Sequence, residues 1–584
     1  MKKNILLIGL IALLTGNWCF AQDTESNISS TLTDSVLVIS GTGDMPSYYQ
    51  WSTRPNKSPW EGLPDIKKII IEDGITSIGN NTFPSLPNLV AVEFPQSLTT
   101  LGSSAFEGCT KLTSINSLFD IESFGYNVFS GCENLQLPPI NFFYVTHIGD
   151  YAFKNCKGLQ SISLYSKNMH NIGYRAFEDS DLSEVLLPDD ESFFLRLSLF
   201  HGCKMLTSIA IPEVVTGIES SAFENSGLRT IDIPGSILWI GDRAFAESDL
   251  ESIRFPANYK GTVISSGTFQ GTKLKNITIP EGINTIWSSA FADCPELTSV
   301  TLPTSIENIF PEVFRNCTKL TTIAIPSKHI SDAFATGSGL ISIDILSMVE
   351  HLHGKQFEGC NSLKSINVDD ANPSYSSVEG IAFNKNKTMI ICYPGGKTES
   401  HYTIPSSVKT IGTQAFFGID SLKTVTIPES VTAIQPKAFL IKGLTVETEN
   451  RIPQLIEVEA FGSNSIISTN TLIVPDGTSA LYKSAKVWRD FGSIIEKSEV
   501  ANEFFGSDIR LTAYPNPVGD ILYLNCDESL IGQSCRIFNM NGALFTDYTI
   551  TETKTVIDVS GYPAGIYILK VGDRNNTAKF VKAN

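Results

Sequence analysis

A phenylalanine recurs along the chain at Phe83, Phe106, Phe129, Phe153, Phe177, Phe200, Phe223, Phe245, Phe269, Phe291, Phe314, Phe334, Phe357, Phe416, Phe439 and Phe461. Successive spacings run from 20 to 24 residues, apart from one step of 59. A period of this length marks a solenoid, in which each coil is too small to bury its own apolar face and must stack on its neighbours. The repeat therefore fixes the architecture over most of the chain. It also favours an extended binding surface over one enclosed catalytic pocket.

Comparing residues 215–234 with 283–303 gives a common coil, I-x-x-I-G-x-x-A-F-x-x-C/S-x-x-L-x-x-I-x-I-P. Its closing stretch alternates, which predicts a short strand with Ile231 and Ile233 inward and Asp232 outward. The opening I-x-x-I reads as a second extended leg. Small residues around Ala222 predict a tight bend that drops Phe223 into the core, and the final proline ends the strand. At the N-terminal end, the alternation at Val36 and Val38, the turn Gly41, Thr42, Gly43 and the pair Trp51 and Trp60 are expected to shield the first coil. At the other end, Asp476, Gly477 and Thr478 are expected to open a short amphipathic helix carrying Ala480, Leu481, Ala485 and Trp488 over the last coil. The step of 59 contains two strand-like runs, 378–383 and 388–393, around the polar turn 384–387. They read as a hairpin, with an enlarged coil of the same stack as the alternative.

The chain has 584 residues and a net charge of -18, nearly all of it outside residues 505–584. Such an acidic surface repels phosphate backbones and anionic membranes, so nucleic acid is not an expected partner. Lys2 and Lys3, the apolar run 5–14 and the small residues before a cut after Ala21 form a secretory leader. No other stretch is long and apolar enough for a membrane helix, so none is expected in the mature protein.

The coil frame resembles the BspA-like leucine-rich repeat family across about residues 35–495. The resemblance rests on residues 37–45, on repeats such as 148–156, on Asn372, Pro373, Ser374 and Tyr375, and on the closing stretch from Tyr482 to Phe491. It implies a surface or secreted protein linked to adhesion and host-protein binding. From residue 511 the period vanishes. Short strands appear at 521–526, 535–538, 555–559 and 565–571, with a hairpin turn at Asn541 and Gly542. This part resembles a type IX secretion C-terminal sorting domain. The resemblance is carried by Tyr514, Pro515, Asn516, Pro517, Gly542, Ala564, Gly565, Ile566, Tyr567, Lys570, Lys579, Phe580, Val581 and Lys582. It implies the type IX secretion machinery as a partner, with removal of the domain at the outer membrane and the cut within residues 496–510.

The expected fold is mainly β: a leucine-rich-repeat solenoid of about 15–16 coils with N- and C-terminal caps, then a small all-β sandwich. The expected organisation is a leader, 1–21; an N-terminal capping segment, 22–74; repeats, 75–368; an insertion with a hairpin, 369–405; final repeats and cap, 406–495; a linker, 496–510; and a sorting domain, 511–584.

Chemistry-bearing motifs are sparse. Cys109, Cys132, Cys156, Cys203, Cys294, Cys317 and Cys360 share one repeat position, which other coils fill with Ser180, Ser226, Ser248 or Thr272. That interchange points to buried free thiols rather than paired ones. Cys526 and Cys535 end one strand and begin the next, and either a disulfide or two thiols fits there. His351 and His353 point outward from one leg, with Glu350 read as facing the other way, so no metal is expected. There is no nucleophile elbow, phosphate loop or paired-carboxylate signature, so neither an enzyme nor a cofactor is expected. The leading function is a non-enzymatic binding or adhesion module for an extracellular protein or glycan, with a ligand-free spacer as the alternative. On the closing strands, the charged outward residues Arg229, Asp232, Glu251, Arg254 and Lys275 are the one departure from a Ser/Thr strip without a row of Tyr and Trp, and they are the expected contact residues.

Overall fold

The computed structural model describes residues 18–20, 27–49, 57–116, 118, 120–137, 144–164, 169, 171–189, 192–334, 337–498, 511–539, 542–572 and 576–583. The chain divides into two compact units. One comprises Met1–Glu399, Ser407–Ser421 and Ile434–Ile441; the other comprises Ser400–Ser406, Leu422–Ala433 and Lys442–Asn584. Residues 1–17 of the expected leader, Trp51, and residues 499–510 of the expected linker lie outside the described residues.

In the first unit the period becomes a stack of parallel legs. Closing strands pair in register, as in Thr230–Asp232 with Ser252–Arg254 and Ser342–Ile345 with Ser365–Val368. Opening legs do the same, as in Ser123–Phe124 with His147–Ile148 and then Asn171–Ile172. Ile231 and Ile233 are buried and Asp232 is exposed, as the alternation predicts.

Between the two legs lies the phenylalanine. Phe83 to Phe334 and Phe416, Phe439 and Phe461 are fully buried, and Phe357 nearly so. Neighbouring rings stack, with centroids 5.5 Å apart for Phe83 and Phe106, 5.6 Å for Phe223 and Phe245, and 5.8 Å for Phe291 and Phe314. That is close to the spacing of paired strands, so one ring per coil continues the ladder through the core. The backbone supports the same step: Phe106 N–H donates to Val128 O at 2.9 Å and Phe223 N–H to Ala244 O at 2.8 Å.

The bend has a consistent conformation. From Phe83 to Phe314 the residue two before each ring of the column is left-handed, as at Asn81, Ser104, Arg175, Ser221, Arg243, Ser289 and Glu312, and so is the residue two after it, as at Ser85, Gly108, Asp179, Asn225, Gly271 and Asp293. Two left-handed residues turn the chain in and out around one side chain. Asn, Asp and Gly tolerate this readily, whereas Arg175, Arg243 and Glu312 adopt it because the ladder on either side enforces it.

Two aromatics complete the column in the first unit. Trp60, buried 23 residues before Phe83, packs on that ring at 5.1 Å. Tyr393, inside the step of 59, stacks on Phe416 at 5.3 Å. The insertion holds the expected hairpin, Ile381–Asn384 with Met389–Cys392, and a further antiparallel strand, Tyr375–Val378. Met389–Cys392 also pairs in parallel with Thr410–Ile411, so the insertion supplies a rung of the stack. At the N-terminal end Ser29–Thr33 and Val36–Ser40 form a hairpin, and the inward pair is Leu37 and Ile39, out of phase with Val36 and Val38. Trp18–Phe20, within the expected leader, pairs antiparallel with the residues around Thr31.

The second unit contains a parallel sheet of His401–Thr403, Thr424–Ile427, Thr445–Thr448, Thr471–Val474 and Ser493–Glu496. The expected helix is Ser479–Ser484, but Ala480 and Leu481 are exposed. A helix this short has one inward position in its body, and Tyr482 takes it, its hydroxyl donating to Asn450 O at 2.8 Å. Trp488 is fully buried as expected and packs on Phe461. Glu496 accepts from the backbone N–H groups of Gly477 and Ser479, at 2.9 Å and 3.1 Å, and those bonds hold its carboxyl below the usual range.

Phe245 sits midway in the column, 5.6 Å from Phe223 and 5.7 Å from Phe269. Phe245→Ala is expected to destabilise the fold by about 3–5 kcal/mol, through lost transfer energy and the cavity left between two rings. Chemical denaturation of wild type and variant, followed by far-UV circular dichroism, measures it.

Candidate functional site

The charges predicted for binding lie on the closing strands, where the structure pairs them with one another. Arg229, Asp232, Arg254 and Lys275 are exposed and Glu251 is half-exposed. Arg254 Nε lies 3.7 Å from Asp232, Lys275 Nζ 2.7 Å from Glu251, and Lys273 Nζ 2.6 Å from Asp249. Lys275 first, and then Arg229, holds the Glu251 carboxyl below its ordinary value. Each cation thus answers an anion one coil away, and exposed pairs of this kind add little stability.

A second outward row lies on the opening legs, away from the charges expected to make contact. Phe194, Gly217 and Trp239 are consecutive partners across three legs. With no side chain at Gly217, the Phe194 and Trp239 rings meet over it with centroids 6.0 Å apart. A Cβ at Gly217 would lie 2.6 Å from Trp239 Cε2. Both rings remain open to solvent, Phe194 at 42% and Trp239 at 38%. Arg196 lies over the exposed Tyr174 ring at 5.1 Å and donates to Glu219 and Asn171 at 3.3 Å each. Further along, the exposed Trp287 stacks on Phe310 at 4.3 Å. The signal is visible in the sequence: Phe194 and Trp239 stand one residue before the inward aliphatic of their legs, and Trp287 and Phe310 one residue after it.

His351 and His353 are both exposed, as expected, but Glu350 is not turned away: its carboxylate lies within 4.8 Å of ligating atoms on His351 and on His329 of the preceding coil. Desolvation holds the His353 pKa below its ordinary value. A second group, Glu178, Asp179 and His201, centres on a buried carboxylate already met by Lys154 at 3.1 Å and Arg175 at 3.5 Å. No helix among the described residues is long and apolar enough to cross a membrane.

The C-terminal residues from 511 form two antiparallel sheets. One is Leu511–Tyr514, Ile521–Cys526 and Lys554–Asp558; the other is Leu544–Thr549, Ser534–Asn539, Gly565–Val571 and Asn576–Lys582. Leu522, Leu524, Ile537, Leu569 and Phe580 share its core. The residues expected to carry the sorting signal occupy defined places here. Tyr514 stacks on Tyr523 at 5.6 Å. Asn516, flanked by cis Pro515 and cis Pro517, accepts from Val581 N–H at 2.8 Å and donates to Lys579 O at 3.3 Å. Gly542 is left-handed in the turn between Ser534–Asn539 and Leu544–Thr549, while Asn541 lies outside the described residues. Gly565 opens the strand on which Tyr567 is buried against Phe580 at 5.4 Å and Lys570 is half-exposed. Lys579 is exposed, whereas Lys582 is buried and reaches Asp520 at 3.2 Å. Val518 pairs with the last strand, so this cluster ties the first segment of the domain to its final one.

Comparison with known proteins agrees with this geometry. A family model described as a BspA type leucine rich repeat region matches residues 56–142, 139–251, 239–364, 329–402 and 391–472. The chain belongs to the BspA-type leucine-rich repeat family. Residues 512–583 match the secretion system C-terminal sorting domain. Together the two assign this BspA-type chain to exported repeat proteins of an interaction class, and its matched families are typically non-enzymatic. A leucine-rich repeat protein from Bacteroides ovatus is 21% identical, with 75% of this chain and 100% of that chain covered and a TM-score of 0.45. The pneumococcal vaccine antigen PcpA is 21% identical over 53% of this chain and 90% of its own, at a TM-score of 0.31. A leucine rich cell surface protein from Faecalibacterium prausnitzii is 19% identical over 74% and 95%, at 0.28. No curated protein matches the chain.

The BspA-type frame also explains the cysteines. Each thiol at the shared position donates to the carbonyl of the preceding coil's phenylalanine: Cys109 to Phe83 at 3.3 Å, Cys203 to Phe177 at 3.2 Å, Cys317 to Phe291 at 3.1 Å. Ser248 and Thr272 instead bond the phenylalanine of their own coil. The position therefore takes a small, weakly polar side chain, and the thiols are free, as are Cys526 and Cys535. Burial pushes Cys109 and Cys203 up to about 12 and Cys294 and Cys360 up to about 11. The folded state therefore holds its thiol protons to higher pH than the unfolded chain. Their contribution to stability is full below the ordinary thiol value, about 8.5, and is lost as pH rises toward the folded values. Native protein at pH 8 is expected to react slowly with a thiol reagent such as Ellman's and fully after unfolding, read by absorbance.

Proposed function

We propose that this chain is an exported, non-enzymatic binding protein that grips an extracellular protein through the aromatic row of its opening legs. The observation that carries this reading is the exposed Phe194–Trp239 pair over Gly217, with Arg196 held over Tyr174 nearby. Tyr, Trp and Arg dominate binding hot spots because they bury much area at little entropic cost. Here the rings and the guanidinium are already held by neighbours, which lowers the ordering cost of association. Arg229, Asp232, Glu251, Arg254 and Lys275 have the lesser role of orienting the approach of a charged partner. In the mature protein the leader has been cut after Ala21. The type IX machinery reads residues 511–584, and cleavage within 496–510 removes them, leaving the repeats at the surface or in the medium.

Two experiments test this. The mature chain is screened against immobilised extracellular proteins and glycans. For the ligand found, Phe194→Ala with Trp239→Ala is expected to weaken binding at least tenfold, whereas Arg229→Ala, Arg254→Ala and Lys275→Ala together change chiefly the association rate. Wild-type affinity in the aromatic variant would reject this face; a glycan ligand would reject the protein partner; and no ligand at all would leave a spacer. For export, deletion of residues 511–584 is expected to trap folded repeats in the cell envelope, while wild type reaches the surface as a shorter species. Equal surface display of both chains would reject the sorting role.

A further inference from the structure

Stacking places side chains together that the sequence keeps a full coil apart. The leg His329–Ile330 pairs in parallel with Asn308–Ile309, and His351 follows in the same row as the bridge partner of His329. The two imidazoles stack with centroids 4.8 Å apart and planes inclined by 20°. One ligating atom each of His329, Glu350 and His351 lies within 4.8 Å of the others, and all three residues are exposed. The backbone beneath them is pinned. Tyr375 donates its hydroxyl to Glu350 O at 3.1 Å and accepts from Leu352 N–H at 3.0 Å, and Ser327 donates to His329 O at 2.9 Å. Lys328 is engaged by Glu307 at 3.5 Å, and Glu350 has no cationic partner among the described residues.

We propose that His329, His351 and Glu350 form a surface site for a zinc-class divalent cation. Two imidazole nitrogens and one carboxylate oxygen suit Zn²⁺, Ni²⁺ or Cu²⁺, whereas Mg²⁺ and Ca²⁺ prefer all-oxygen shells. Bonds of about 2.0–2.2 Å put tetrahedral ligand atoms roughly 3.4 Å apart. The three ligating atoms already lie within 4.8 Å of one another, so reaching that spacing asks for a short side-chain adjustment over a pinned backbone. Three protein ligands leave one position for water or for a donor from another molecule. The other group, around Glu178, is a poor rival, because Lys154 and Arg175 already neutralise its buried carboxylate.

The test is isothermal titration of the untagged mature chain with Zn²⁺ in chelator-free buffer, with Mg²⁺ as the comparison cation. One Zn²⁺ per chain is expected, undisturbed by excess Mg²⁺. His329→Ala or His351→Ala should weaken it about tenfold or more, and Glu350→Gln less. His201→Ala should leave it unchanged. The His329 and His351 variants should keep the wild-type melting temperature without metal, because the side chains they remove are exposed. Absence of Zn²⁺ binding, binding that survives loss of both histidines, or binding lost with His201 would each overturn the proposal.

Discussion

Everything in the repeats depends on fitting one aromatic ring per coil into a space about one strand-spacing high. The ring must point inward between two legs, which requires the chain to turn sharply on both sides of it. Left-handed residues such as Ser221 and Asn225 around Phe223 achieve that, and the Phe223 amide then bonds Ala244 of the next coil. Turn, ring and intercoil hydrogen bond are therefore one device, and each coil completes the device of its neighbour. In the first unit Trp60 lies against Phe83, and in the second Trp488 lies against Phe461, in each case a larger ring set on a phenylalanine of the repeat.

The same register determines what the surface can do. Outward residues gain neighbours from the adjoining coil as well as from their own, and the surface features of the legs are cross-coil features. The charge pairs Lys275 with Glu251 and Arg254 with Asp232, the rings Phe194 and Trp239, and the imidazoles His329 and His351 all follow this rule. Gly217 shows how finely it works. A side chain there would occupy the space that Trp239 fills, and the omission of one Cβ joins two rings that are otherwise two legs apart.

This rule also explains which parts were legible in the sequence. The period, the inward face at Ile231 and Ile233, the free thiols and the hairpin in the insertion follow from residue type and spacing within one coil, and each was read. Features that depend on substitution within the period were harder to see. Tyr393 takes the place of a phenylalanine and Tyr482 replaces Leu481 as the inward residue of the terminal helix, because a search for Phe or Leu passes over Tyr. The aromatic row is less legible than the closing strands, because legs of two to four residues are too short to show alternation. Glu350 was read as pointing away because strand alternation separates it from His351, yet its side chain is long enough to reach the histidine row. The residues that carry the resemblance to a sorting domain are legible by type, but the bonds that tie Asn516 to Lys579 and Val581, and the pairing of Val518 with the last strand, appear only in the folded domain.

The central claim is that intercoil bonds at the phenylalanine bends, rather than the short strands, hold the stack together. Native-state hydrogen exchange with peptide-resolved mass spectrometry measures this directly. The account predicts that peptides containing Phe106, Phe129, Phe153, Phe177, Phe200, Phe223, Phe245, Phe269 and Phe291 exchange slowest and with similar opening energies, because each amide is released only when two coils separate. Exchange at these bends as fast as at the outward positions of the legs, with protection confined to the strands, would contradict it.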